Sequence, residues 1–156
     1  MNFGFSFIGL IFLIMLFVPN ILWTKIRPKD YDKYVINESK ILTVLERIGQ
    51  VLVVCFSLIF NDFNVDIASP WLIVLILAFI FMILYELYWI NYFKSSRTMA
   101  DMYSSFLSIP VAGATLPVLG FLFLGIYGEN VFLIVATIIL GIGHIGIHLS
   151  YKNEIN

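Results

Sequence analysis

Residues 24–40 read TKIRPKDYDKYVINESK and separate two apolar runs, about Phe3–Trp23 and Ile41–Phe60. This loop holds Lys25, Arg27, Lys29, Lys33 and Lys40, five of the nine Lys and Arg residues in the chain. A helix of roughly 20 apolar residues spans a bilayer. Three more runs of that length follow, about Pro70–Phe93, Tyr103–Tyr127 and Val131–Tyr151. Lys94 and Arg97 follow the third run and Lys152 follows the fifth, whereas the loops Asn61–Ser69 and Gly128–Asn130 carry Asp62, Asp66 and Glu129 and no basic residue. Lys and Arg accumulate in cytoplasmic loops. The alternation therefore predicts an all-α integral membrane protein, a bundle of five transmembrane helices with the N-terminus outside and the C-terminus cytoplasmic. Arg47 is the one cation inside a run.

Composition agrees. The chain has 156 residues, 61% hydrophobic and 12% charged, with a mean hydropathy of +0.98. A soluble domain carries about 25% charged residues. The net charge of −1 offers no basic field for nucleic acid. No repeat or linker divides the chain, so it reads as a single multi-pass domain of a cell membrane. The first run lacks a basic residue before it and a small-residue cleavage site after it, so it reads as a span and not as a signal peptide. The single cysteine, Cys55, excludes an intrachain disulfide and reads as a small buried hydrophobe. In size and span count the chain resembles the translocator, or tryptophan-rich sensory, family of small five-span proteins. That resemblance is architectural, implies a five-helix bundle, and carries over no ligand chemistry.

Ionisable groups inside a membrane are costly, so each is a candidate site residue with a partner to be named. Span two contains Glu46, Arg47 and Gln50, and Thr43, Arg47, Gln50, Val54, Ser57 and Asn61 share one helical face. Span three ends in Tyr85-Glu86-Leu87-Tyr88-Trp89-Ile90-Asn91-Tyr92. Span five carries Thr137, Gly141, His144, His148 and Tyr151 on one face, and span four carries Ser104, Ser108, Ala112 and Thr115. Pro19-Asn20 lies near the end of span one. At about 1.5 Å per residue, Arg47 lies roughly 10 Å in from Lys40, and Glu86 and His144 about 12 Å in from Lys94 and Lys152. All fall in the cytoplasmic half.

The expected site is a cytoplasm-facing polar pocket with Arg47, Gln50, Tyr85, Glu86, Trp89, His144 and His148 as ligand-binding residues. Its expected internal ion pair is Arg47 with Glu86, or Arg47 with Glu46. His144 and His148 have the i, i+4 spacing of helical metal ligands, and Glu86 would complete a His-His-Glu set. The competing reading makes them hydrogen-bonding or proton-relay histidines. Haem is disfavoured, because axial ligands approach from opposite faces. Tyr85, Tyr88, Trp89, Tyr92 and Phe93 read either as an interfacial aromatic belt or as a cage for a flat or cationic ligand. Pro110 and Pro117 predict kinks in span four. Gly141, Gly143 and Gly146 predict close packing of span five on span four. Ser39 is the expected N-cap of span two, after Asn37 and Glu38, and Tyr31, Tyr34 and Val35 would anchor the long loop at the headgroups.

Three functions fit. The first binds or transports a small amphipathic or cationic ligand, as a homodimer if it transports. The second is an intramembrane enzyme acting on a lipid or isoprenoid, with Glu86 or His144 as general base, with or without a metal, and with its cofactor unknown. The third is an accessory or immunity-type subunit working through helix contacts with a partner.

Overall fold

A computed structural model describes residues 1–34 and 39–155. Val35, Asn37 and Glu38, singled out above, lie outside the described residues. The elements are α1 (Phe7–Lys25), α2 (Lys40–Ile59), α3 (Leu72–Lys94), a short α4 (Met99–Met102), α5 (Ala112–Tyr127) and α6 (Val131–Ile155). Two 3-10 turns, Tyr31–Tyr34 and Asn61–Phe63, lie in the loops. Among the described residues there is no strand, only isolated bridges such as Phe3 with Phe60. Helices α1, α2, α3 and α6 are long and apolar enough to cross a membrane, and α5 is a shorter apolar helix.

The helices form a closed ring. α2 packs along α6, α6 along α5 and α5 along α3, and α1 touches both α2 and α3. Loops gather at two ends. At the basic end the Lys29 amide donates to the Arg97 carbonyl (2.9 Å), and the Met99 amide donates to the Asp30 carboxylate (2.8 Å). At the acidic end the Asn2 amide donates to the Asp62 carboxylate (2.8 Å). There Tyr127 Oη accepts from the Asp66 amide (2.8 Å) and donates to the Asn64 carbonyl (2.9 Å). The charge pattern thus segregates the connections onto two ends, as an up-and-down bundle requires.

The fourth span departs from expectation. Residues 103–111 are not helical, and the helical face drawn through Ser104, Ser108, Ala112 and Thr115 does not exist. Pro110 disfavours helix in the residue before it, and Leu107, Ser108 and Val111 have φ of 51°, 59° and 43°, which no right-handed helix can carry through. The Thr115 hydroxyl instead donates to the Pro110 carbonyl (2.7 Å). At 16 residues, α5 is about 24 Å long, shorter than the roughly 30 Å hydrocarbon core. Tyr103 and Val111 at the two ends of this segment are buried, whereas Ser104, Ser105, Leu107, Ser108 and Pro110 between them are exposed. Pro110 therefore ends a loop and kinks no helix, whereas Pro117 does lie inside α5.

Caps follow local chemistry. Ser6 Oγ accepts from the Gly9 amide at the start of α1 (2.8 Å). Ser39 occupies the N-cap position of α2 without a side-chain cap bond; its carbonyl accepts from Thr43 Oγ1 instead (3.1 Å). α4 begins with a capping box in which Thr98 and Asp101 bond each other's backbone. Those donors hold the Asp101 carboxyl below its usual range, the Thr98 backbone N–H contributing most.

Candidate functional site

Two glycines set the geometry of α2 against α6. A Cβ on Gly49 would meet the Leu140 backbone at 2.5 Å, and one on Gly143 would overlap the Glu46 amide nitrogen and the Leu42 carbonyl. The backbones touch because neither residue has a side chain, the means by which membrane helices approach closely. The expected glycine packing of span five thus falls largely on α2; only Gly141 meets α5, at Val118 (3.0 Å).

This approach brings the Glu46 carboxyl into hydrogen-bond contact with Nδ1 of His144 across the α2–α6 seam. The pairing expected for Arg47 is not formed: Arg47 is exposed and makes no ion pair among the described residues. Glu46 and Arg47 are neighbours about 100° apart on the helix, and the close α6 backbone selects Glu46. One turn on, His148 Nδ1 lies 3.0 Å from the Tyr103 hydroxyl, and the two imidazoles meet edge to face with centroids 4.5 Å apart.

Beside these groups lie two adjoining cavities, with Leu16, Asn20, Pro117 and His144 walling both. The larger, about 550 Å³, lies between α1, α2, α5 and α6 and is walled by Phe17, Gln50, Val51, Val54, Cys55 and Phe121 among others. The smaller, about 130 Å³, is walled by Trp23, Tyr85, Trp89, Met102, Gly113 and His148. Asn20 Nδ2 donates to Tyr85 Oη (2.9 Å) and to the Leu16 carbonyl (2.7 Å), joining α1 to α3 at the boundary.

The structure therefore places Gln50 on the larger cavity, Tyr85, Trp89 and His148 on the smaller, and His144 on both. Arg47 and Glu86 line neither cavity. Among the described residues no three His, Cys, Asp or Glu side chains come together as a metal site would need, so Glu86 does not join His144 and His148. The aromatic residues of α3 do not form an outward belt. Tyr85, Tyr88, Trp89 and Tyr92 are all 5% exposed or less, with Trp89 in ring contact with Tyr85, Tyr88, Tyr92 and Phe93. Cys55, expected to be buried, is exposed on the wall of the larger cavity.

Sequence reasoning read two site features differently. Glu46 entered it as a possible partner of Arg47 and not as the partner of His144. Trp23 looked like the end of a span, yet it walls the smaller cavity and is held from outside by Arg27 (5.6 Å from its ring centroid) and Tyr31. Pro19-Asn20 was the signal available for the α1 wall.

No family model, no curated protein and no solved structure matches the chain. The architectural resemblance to the translocator family is accompanied by no match of sequence or structure.

Proposed function

We propose that this protein binds a lipid-soluble amphipathic molecule within the membrane, taking it up from the bilayer. One observation carries the reading: a large apolar chamber adjoins a smaller aromatic-walled cavity, with Asn20 and His144 walling both. Ligand sites are typically about 300–1,000 Å³, mostly apolar, with a few placed polar groups. The chamber's wall between α1 and α2 includes Phe17, Gln50 and Val51, exposed on the bundle surface, which favours entry from lipid. At the basic end, the loop of Lys29 and Asp30 is bonded to that of Arg97 and Met99. The Lys and Arg partition supports a cell-membrane orientation with the N-terminus outside and the basic end cytoplasmic.

The test is whether a small molecule co-purifies, read by native mass spectrometry, and whether amphiphiles raise the unfolding temperature in detergent. Val54→Trp, which fills the larger chamber, is expected to abolish both effects. A panel of neutral and cationic amphiphiles with no stabiliser and no co-purifying molecule would overturn the reading.

The Glu46–His144 pair favours a second reading, an intramembrane enzyme, since a carboxylate-oriented imidazole is how many general bases are built. Cys55 is the thiol on the chamber wall, but it lies nine residues beyond Glu46, about 13 Å along α2. That distance is too great for His144 to deprotonate it, which supports binding over covalent catalysis.

A further inference from the structure

Two opposite charges are left unanswered inside the spans. Arg47 is exposed on α2 and makes no ion pair among the described residues. Glu86 is partly exposed on α3. Its Oε1 has no hydrogen-bond partner, and it too makes no ion pair among the described residues. Arg47 lies seven residues into α2 from Lys40, and Glu86 lies eight residues before the end of α3 at Lys94. They therefore stand at similar depth, about 10 and 12 Å from the basic end. Ionisable side chains within a span are costly and pair with one another. Glu46, beside Arg47, is already in contact with His144.

Their places on the bundle keep them apart within one copy. α1 stands between α2 and α3 and touches both. Val54, seven residues beyond Arg47 and on the same helical face, walls the chamber that α1 and α2 flank, so Arg47 lies on the α1 side of α2. Phe79, seven residues before Glu86 and on the same face, packs edge to face on Phe12 of α1, so Glu86 lies on the α1 side of α3. Between the two charges α1 turns Leu10, Ile14, Phe17 and Ile21 outward, all exposed, at the 4-3-4 spacing by which helices pack side by side. α1 and α2 are also the least buried of the four long helices. The result is an apolar ridge with a cation at one flank and an anion at the other.

Such a surface is complementary to itself. A half-turn about an axis along the membrane normal sets the cationic flank of each copy against the anionic flank of the other, the isologous contact commonest among homo-oligomers. Lipid tails offer neither charge a partner. We infer that this face binds a second copy of the chain, with Arg47 of each copy paired to Glu86 of the other and α1 at the two-fold axis. The contact borders the chamber at Phe17 and Val51. It goes beyond the binding reading and stands or falls apart from it.

The experiment uses the full chain in vesicles of neutral phosphatidylcholine, with donor and acceptor dyes on separate copies through an added C-terminal tag. Energy transfer between copies is expected to rise with the protein-to-lipid ratio and saturate, and native mass spectrometry to give a dimer. Arg47→Glu and Glu86→Arg, each alone, set like charges against each other and should weaken association about ten-fold or more. Mixed one to one, the two variants supply each other's missing charge and should regain wild-type association to within about three-fold. Neither residue makes an ion pair within one copy, so the unfolding temperature of dispersed single copies should stay close to unchanged. If a reversal fails to insert, Arg47→Gln and Glu86→Gln take its place. Each should weaken association about five-fold, and both together no more than either alone. Wild-type protein that stays monomeric at every ratio overturns the inference. So does association that survives both single changes, or that is lost in both and not regained on mixing. Amphiphile stabilisation of the single copies reports on the binding reading separately.

Discussion

α2 has two neighbours and meets them in opposite ways. Against α6 it is in backbone contact at Gly49 and Gly143, and the seam is closed by the Glu46–His144 pair. Against α1 it is in backbone contact only toward the acidic end, where Gly9 packs on the Ser57 carbonyl and the Gly4 and Ser6 amides donate to Ile59 and Leu58. Beyond that point α1 and α2 flank the larger cavity. The difference teaches that small residues decide where this bundle is sealed: glycine on both helices of the tight seam, glycine at one end only of the other. Where Leu16, Phe17, Val51 and Val54 face the gap in place of glycine, a chamber remains.

The comparison breaks most severely at Gly143. Gly143→Val would push a branched side chain into the Glu46 and Leu42 backbone, so folded protein recovered by size-exclusion chromatography should fall nearly to nothing. Gly146→Ala meets only the side-chain tip of Leu42, at 3.1 Å, and should shift thermal unfolding slightly. Equal losses would show that the seam does not depend on backbone approach. Next in size, Glu46→Ala strands His144 and should destabilise the protein by about 2 kcal/mol, whereas Arg47→Ala should be nearly silent in the same assay. On the open side, Cys55 should react with an uncharged lipophilic maleimide several-fold faster than with a charged one, and a bound amphiphile should slow the lipophilic reagent. The smallest effect lies outside both seams. Thr98→Ala removes the α4 cap and should cost about 1 kcal/mol. The Asp101 carboxyl is held below its unfolded value near 3.8, so its contribution is present above that pH and is lost as pH falls through the folded value. Asp101→Asn should flatten that part of an acid-unfolding curve.

The sequence read well wherever one chain segment decides the outcome. The apolar runs, the two-ended charge partition and the shared face of His144 and His148 depend on composition and helical period alone. What failed to read depended on which helices are neighbours. Arg47 was the conspicuous ion in span two, but Glu46 faces α6 once Gly143 lets the helices touch. The α3 aromatics have the composition of an interfacial belt, yet α5 and α1 cover them. Pro110 was legible as a helix breaker; that it ends a loop, and bends no helix, depends on the left-handed residues around it.

The Glu46–His144 pair joins residues 98 apart in sequence, and so links the second membrane helix to the last. During synthesis α2 enters the bilayer long before α6 exists. Throughout that interval Glu46 has no imidazole to meet, and an unpaired carboxylate at that depth is expensive. The earlier helices therefore wait as an unfinished and chemically unsatisfied assembly. Insertion of α6 is the step at which the ring closes, the Glu46 carboxyl meets its imidazole partner and the cavity acquires its histidine wall.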